Sequence, residues 1–84
     1  MIEVWGKENC VFCNRAKSLC ETRQYEYTYK QLDVDFTREQ LFEKFPTART
    51  FPQITVREEK IGGYNELLKY VEDTGYNGTG HSLG

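Results

Sequence analysis

The sequence predicts an α/β fold: a four-stranded mixed sheet flanked by three helices, in the order β-α-β-α-β-β-α. Three observations carry this expectation. Apolar residues recur at helical spacing in three separate segments, starting near Cys10, Thr37 and Tyr64. Between those segments lie short runs with a period of two, the clearest being Tyr25-Glu26-Tyr27-Thr28-Tyr29. Glycine, proline and polar clusters punctuate the joins.

Ile2, Val4 and Trp5 form a short apolar opening strand that breaks at Gly6-Lys7-Glu8-Asn9. A helix begins at Cys10. Phe12, Ala16, Leu19 and Cys20 fall at i, i+4, i+7 and i+8 on one face, with Arg15, Lys17 and Glu21 on the other. The second strand runs from Tyr25 to Gln31 and continues through Leu32 and Val34. Thr37 and Gln40 have the spacing of a capping box, in which each side chain satisfies a backbone donor of the other at a helix start. Leu41, Phe42 and Phe45 supply that helix's apolar stripe, and Pro46 stops it. Ile54 and Val56 bracket Thr55 in a third strand, and Arg57-Glu58-Glu59-Lys60 reads as a polar turn. Ile61 sits in a brief fourth strand closed by Gly62-Gly63. Tyr64, Leu67, Leu68 and Val71 then keep the spacing of a last helix, with Gly75 as its terminator. The first two strands, joined through a helix, are expected to be parallel, and the last two to form an antiparallel hairpin. Residues 1–75 make one domain, and the Gly-rich, unpatterned residues 76–84 read as a flexible tail.

A chain of 84 residues has room for one domain with a modest core. Its hydrophobic content of 38 % is that of an ordinary globular protein, and six Tyr, five Phe and one Trp argue strongly against disorder. A formal net charge of −2, with no basic run to neutralise phosphates, argues against nucleic acid as a partner. No apolar stretch approaches the ~20 residues that cross a bilayer, and Met1-Ile2-Glu3-Val4-Trp5 lacks the layout of a signal peptide. An odd number of cysteines, three, suits a reducing cytoplasm better than an extracellular disulfide scaffold.

All three cysteines fall in "KENCVFCNRAKSLC", residues 7–20. Cys10 stands where the first loop meets the first helix, facing unpaired backbone N–H groups and the positive end of the helix dipole. Both favour thiolate over thiol, and Lys7 adds a cation three residues upstream. An ordinary cysteine is only about 3 % thiolate at pH 7, whereas pKa values of ~3.5–7.5 are typical of such junctions. Cys13 lies one turn further in, on the same side and less accessible. Cys10 is therefore the expected nucleophile, which opens a disulfide, and Cys13 the resolving thiol, which closes the Cys10–Cys13 bond and releases the product. Two plainer readings stand beside this one. A zinc site would need four ligands, and the others on offer are Cys20, on the apolar helix face, and His81, in the tail. A structural buried pair would occupy an unusually accessible junction. Cys20 itself reads as a small hydrophobe in the core.

"KENCVFC" followed by "RAK", then "TFPQI" and "IGGYNEL", resembles the glutaredoxin family, in the compact bacterial and phage-encoded form. The resemblance runs from residue 1 to about residue 73 and rests on three motifs in the right order on the right elements. It implies a thioredoxin-like fold and a dithiol enzyme that reduces protein disulfides or glutathione mixed disulfides. Glutathione would be the co-substrate, with no tightly bound cofactor and no metal. It implies a cis peptide at Phe51-Pro52, whose Phe51 backbone would pair with the cysteinyl part of glutathione. Lys7 and Arg49 would meet the glycine carboxylate. Backbone N–H groups of Gly62-Gly63-Tyr64-Asn65 would take the γ-glutamyl carboxylate, and Phe12 would wall the groove. By family association, ribonucleotide reductase is a client. The enzyme would be a monomer, in a bacterial cytoplasm or in the host cytoplasm if phage-encoded.

Three positions depart from the family pattern. Val11 replaces a common proline that stiffens the first helical position, and Phe51 replaces a smaller valine. Asn65 stands where Asp is frequent, which predicts weaker attraction for the γ-glutamyl ammonium. One alternative function is a redoxin reduced directly by thioredoxin reductase, a class in which Val often follows the first cysteine but the Gly-Gly turn is usually missing. Another is a non-catalytic module holding zinc or a shared iron–sulfur cluster on Cys10 and Cys13.

Overall fold

The structure is a computed structural model that describes residues 1–76. His81 and the rest of the expected tail beyond Tyr76 lie outside the described residues. The elements follow the expected order: β1 (Ile2–Gly6), α1 (Val11–Thr22), β2 (Tyr27–Gln31), α2 (Arg38–Lys44), β3 (Gln53–Val56), β4 (Glu59–Gly62) and α3 (Tyr64–Thr74). They build one sheet of order β2-β1-β3-β4. β1 runs parallel to β2, with Val4 opposite Tyr29 and Gly6 opposite Gln31. It runs antiparallel to β3, with Val4 opposite Ile54, and β3 and β4 form the hairpin.

Alternation along β1 divides the core between the two faces of the sheet. Ile2 and Val4 join Ala16, Cys20, Ile54, Val56, Leu67 and Val71 between the sheet and helices α1 and α3. Burying each large aliphatic side chain stabilises the fold by about 1.5–3 kcal/mol. Trp5 faces the other way and meets Phe36, Leu41 and Phe45 beside α2. Its ring lies 4.8 Å from that of Phe36 and 5.7 Å from that of Phe45. Glu3 belongs to this second face. Its carboxylate accepts from Thr55 Oγ1 at 3.2 Å and Lys44 Nζ at 3.1 Å, with Lys30 Nζ at 3.7 Å. Burial alone would raise the Glu3 pKa. The Lys44 hydrogen bond, the charges of Lys30 and Lys44 and the Thr55 hydroxyl outweigh it, and the carboxyl sits below its usual value of 4.5.

The helix ends use the signals read from the sequence. Thr37 and Gln40 close the capping box, with Gln40 N–H donating to Thr37 Oγ1 at 3.2 Å and Thr37 N–H to Gln40 Oε1 at 2.9 Å. Gly75 ends α3 in the left-handed conformation, at φ 66°.

Four expectations are corrected. β2 is shorter than the alternating run. Tyr25 precedes it, buried, with its N–H on Cys20 O at 2.8 Å. Beyond Gln31 the Asp35 carboxylate accepts the Gln31 N–H at 2.8 Å and Asp33 adopts φ 66°, so the chain turns. A side chain that captures a backbone donor competes directly with the ladder. Leu32 still donates its N–H to Gly6 O at 2.9 Å but otherwise makes an isolated bridge to Phe36, and Val34 stands exposed on the loop.

On α1, Phe12 is 47 % exposed, and Cys13, Ala16 and Cys20 form the buried stripe. Positions 12 and 13 both continue the stripe from Ala16, by four residues and by three, and the sheet takes the smaller side chain. On α2, Leu41 and Phe45 are buried, and Phe42, rotated about 100° around the helix from Leu41, is 46 % exposed. The β3–β4 turn is two residues, Arg57 and Glu58, at φ 52° and 68°, which leaves Glu59 and Lys60 in the strand. A two-residue loop with positive φ at both positions matches the twist of the flanking strands, which holds Arg57 and Glu58 there although neither is a glycine.

Candidate active site

β1 and β2 end at the same edge of the sheet, where ligand crevices of α/β folds open. From there Lys7, Glu8 and Asn9, the last at φ 55°, carry the chain to α1. Cys10 is the N-cap of α1, with extended backbone (φ −113°, ψ 109°), and its Sγ accepts the Cys13 N–H at 3.2 Å. Sulfur thus takes the place usually held by a Ser, Thr or Asp oxygen at a helix start. Cys10 and Cys13 are joined as a disulfide with Cα atoms 5.2 Å apart. Cys10 is 8 % exposed and Cys13 fully buried. An incoming thiolate must attack in line with the S–S bond, and only the Cys10 side is reached from solvent.

A groove of about 260 Å³ opens beside this helix start. It is lined by Phe12 on one side, by Thr50, Phe51 and Pro52 from the segment before β3, and by Gly63, Tyr64, Asn65 and Glu66 from the start of α3. The Phe51-Pro52 peptide is cis, as the resemblance implied. The Phe12 and Tyr64 rings lie 6.3 Å apart. Two cations stand over the groove's aromatic rings: Lys7 Nζ lies 5.7 Å from the Phe51 ring, and the Arg15 guanidinium 5.4 Å from that of Phe12. Gly63 packs closely here, since a Cβ on it would lie 3.6 Å from Pro52 O and 3.3 Å from Glu66 Oε1.

Of the residues singled out from sequence, Phe12, Phe51, Pro52, Gly63, Tyr64 and Asn65 line one groove, and Lys7 reaches its edge through Phe51. Arg49 is exposed and lies outside the groove lining. Thr50, Glu66 and Arg15 were not anticipated. Glu66 accepts the Gly63 N–H at 2.9 Å, the same three-residue reach as Thr37–Gln40 and so a signal the sequence did contain. That bond occupies one donor of the α3 start. The N–H groups of Tyr64 and Asn65 remain without an intrahelical acceptor.

Cys20 takes no part. Burial, with a smaller contribution from Glu21, pushes its thiol up to about 11, so it stays neutral in the core. Among the described residues no cluster of three or more His, Cys, Asp or Glu side chains is placed to hold a metal ion. No helix there is long and apolar enough to cross a membrane.

Known proteins share this arrangement. The sequence matches the family model described as Glutaredoxin over residues 2–61. It is 32 % identical to Glutaredoxin 1 of Escherichia coli over 77 residues, which cover 83 % of this chain and 91 % of that one. The solution structure of reduced Escherichia coli glutaredoxin superposes with a TM-score of 0.73 at 30 % identity, covering 86 % of this chain and 93 % of that one. A buckwheat glutaredoxin, solved as a glutathione complex, shares the fold with a TM-score of 0.73 at 23 % identity, covering 87 % of this chain and 69 % of its own. Fold and site together define a thiol–disulfide oxidoreductase of thioredoxin-like architecture, with Cys10 and Cys13 as its redox cysteines. Within that class the chain belongs to the glutaredoxin family.

Proposed function

We propose that the enzyme is a dithiol glutaredoxin that draws electrons from glutathione to reduce glutathione mixed disulfides and protein disulfides in the cytoplasm, as a monomer. The observation that carries this reading is the groove beside Cys10, which has apolar walls, a cation at Lys7 and the open helix start of α3. Such a groove suits a small peptide with a carboxylate at each end. The buckwheat glutaredoxin–glutathione complex supports the same assignment. Phe12, Phe51, Pro52 and Tyr64 would hold the tripeptide, and Gly63, Tyr64 and Asn65 would receive its γ-glutamyl end. Lys7, with Arg49 as the more distant cation, would take the glycine carboxylate. The Glu66 carboxylate would face the γ-glutamyl ammonium. Ribonucleotide reductase is a client by family association.

In the reduced enzyme the Cys13 N–H and the α1 N-terminus favour a Cys10 thiolate. That thiolate attacks the glutathione sulfur of a mixed disulfide. The old S–S bond breaks, the client leaves as a thiolate that takes up a proton, and Cys10 carries glutathione. A second glutathione thiolate then releases glutathione disulfide and restores Cys10. With a protein disulfide, the Cys10 thiolate cleaves the client S–S bond and forms a mixed disulfide, and the freed client sulfur takes up a proton. Cys13 then loses its proton and attacks the Cys10 sulfur, breaking the Cys10–client bond, so that the client leaves as a dithiol and the Cys10–Cys13 bond closes.

The test is turnover of a glutathionylated small disulfide, with glutathione and glutathione reductase supplied. Cys10→Ser is expected to fall to the uncatalysed rate. Cys13→Ser is expected to keep activity on this substrate, because glutathione itself resolves the intermediate. Turnover with thioredoxin reductase but none with glutathione would replace this reading with the directly reduced redoxin.

A further inference from the structure

We propose that the Tyr29 hydroxyl is a positioning group for the Cys10–Cys13 pair, setting how readily the disulfide closes. The proposal rests on the reading of these cysteines as a glutathione-coupled dithiol. Tyr29 stands opposite Val4 in the β1–β2 ladder, so its side chain shares the α1 face of the sheet. The ring packs against the core there, with Lys17 Nζ 5.5 Å above it. Its far end reaches the point where β1 gives way to the active-site loop, and the hydroxyl donates to Lys7 O at 3.4 Å.

Gly6 makes that reach possible. A Cβ on Gly6 would stand 2.5 Å from Tyr29 Oη, 2.9 Å from Tyr29 Cζ and 3.1 Å from Cys13 Cβ. The phenol and the Cys13 methylene therefore flank one missing side chain. Tyr29 supports both halves of the pair through this notch. It fills the notch at Gly6 that Cys13 borders, and it tethers the carbonyl of Lys7, from which only Glu8 and Asn9 lead to Cys10. Burial raises the Tyr29 pKa, which keeps the phenol neutral and able to donate. In the dithiol state nothing covalent holds the two sulfurs together, so closure depends on how firmly the backbone presents them to each other.

The experiment equilibrates the protein in glutathione buffers. Two glutathione thiols there give two electrons and two protons to the Cys10–Cys13 disulfide, yielding two protein thiols and one glutathione disulfide. Tyr29→Phe keeps the ring and removes the hydroxyl. It is expected to move this equilibrium about threefold towards the dithiol, the scale of one long hydrogen bond, with the melting temperature of the reduced protein held. In a Cys13→Ser background the exchange constant of the Cys10–glutathione mixed disulfide is expected to be the same with and without Tyr29→Phe. An unchanged dithiol constant overturns the proposal. So does a shift that persists in the Cys13→Ser background, or one that tracks a fallen melting temperature of the reduced protein, as a merely structural tyrosine would give. If the wild type does not equilibrate with glutathione, it is the glutathione reading that fails. Titration with dithiothreitol, another two-electron dithiol, then decides the role of Tyr29.

Discussion

Asn65 illustrates how much one side chain can alter the groove. It is exposed at the second position of α3 and lines the groove beside Glu66, whose carboxylate is already engaged with the Gly63 N–H. Asn65→Asp would place a second carboxylate there, favoured by the positive end of the α3 dipole. The KM for glutathione is expected to fall about threefold at low salt and less at high salt, as for other exposed charge contacts. A KM that does not move, measured in the glutathione reductase–coupled assay, removes any role for charge at this position. The redox cysteines were legible because their placement is local: a sulfur at a helix start needs only the break at Gly6–Asn9 and the helical spacing after it. Tyr29 was not legible as part of the site, because the Gly6 notch that it shares with Cys13 joins positions 23 and 16 residues away along the chain.

At the scale of elements, the β3–β4 hairpin shows geometry overriding composition. Arg57 and Glu58 are both left-handed, a conformation that costs a non-glycine residue about 1 kcal/mol. Arg57 recovers part of this through its guanidinium, 5.5 Å from the Tyr76 ring, whereas Glu58 has no comparable contact among the described residues. Glu58→Gly is therefore expected to raise stability by about 0.5–1 kcal/mol, read as a higher urea midpoint with an unchanged slope. No Asn-Gly or Asp-Gly pair announced this turn, so the sequence suggested a longer one. α2 differs, because its capping box, apolar stripe and terminal proline all lie within ten residues. Its ends were legible, and only the exposure of Phe42 required the neighbouring sheet to be known.

In the whole molecule, Glu3 ties β1 to three other elements through Lys30 of β2, Lys44 of α2 and Thr55 of β3. Its carboxyl titrates below its usual value in the folded state. A lowered folded pKa means that the stabilising contribution is present above the unfolded value of about 4.5 and is lost as pH falls through the lower, folded one. Glu3→Gln is expected to cost about 0.5–1 kcal/mol at pH 7, with the difference from wild type shrinking towards zero in acid. Paired urea melts at neutral and acid pH measure both. A cost that stayed constant down to about pH 3 would mean that packing, not charge, accounts for the effect.

The sequence by itself determined the element order, the strand-to-helix junction at Cys10, the pairing of Cys10 with Cys13 and the neutral burial of Cys20. Each of these follows from contacts within a few residues or from a period repeated along one element. The tertiary structure alone decided which of Phe12 and Cys13 turned inward, where β2 stopped, and that Thr50, Glu66 and the Gly6 notch belong to the site. Those outcomes depend on which surfaces meet across the sheet, and a side chain's neighbours across a sheet are set by register and packing, which no local pattern encodes.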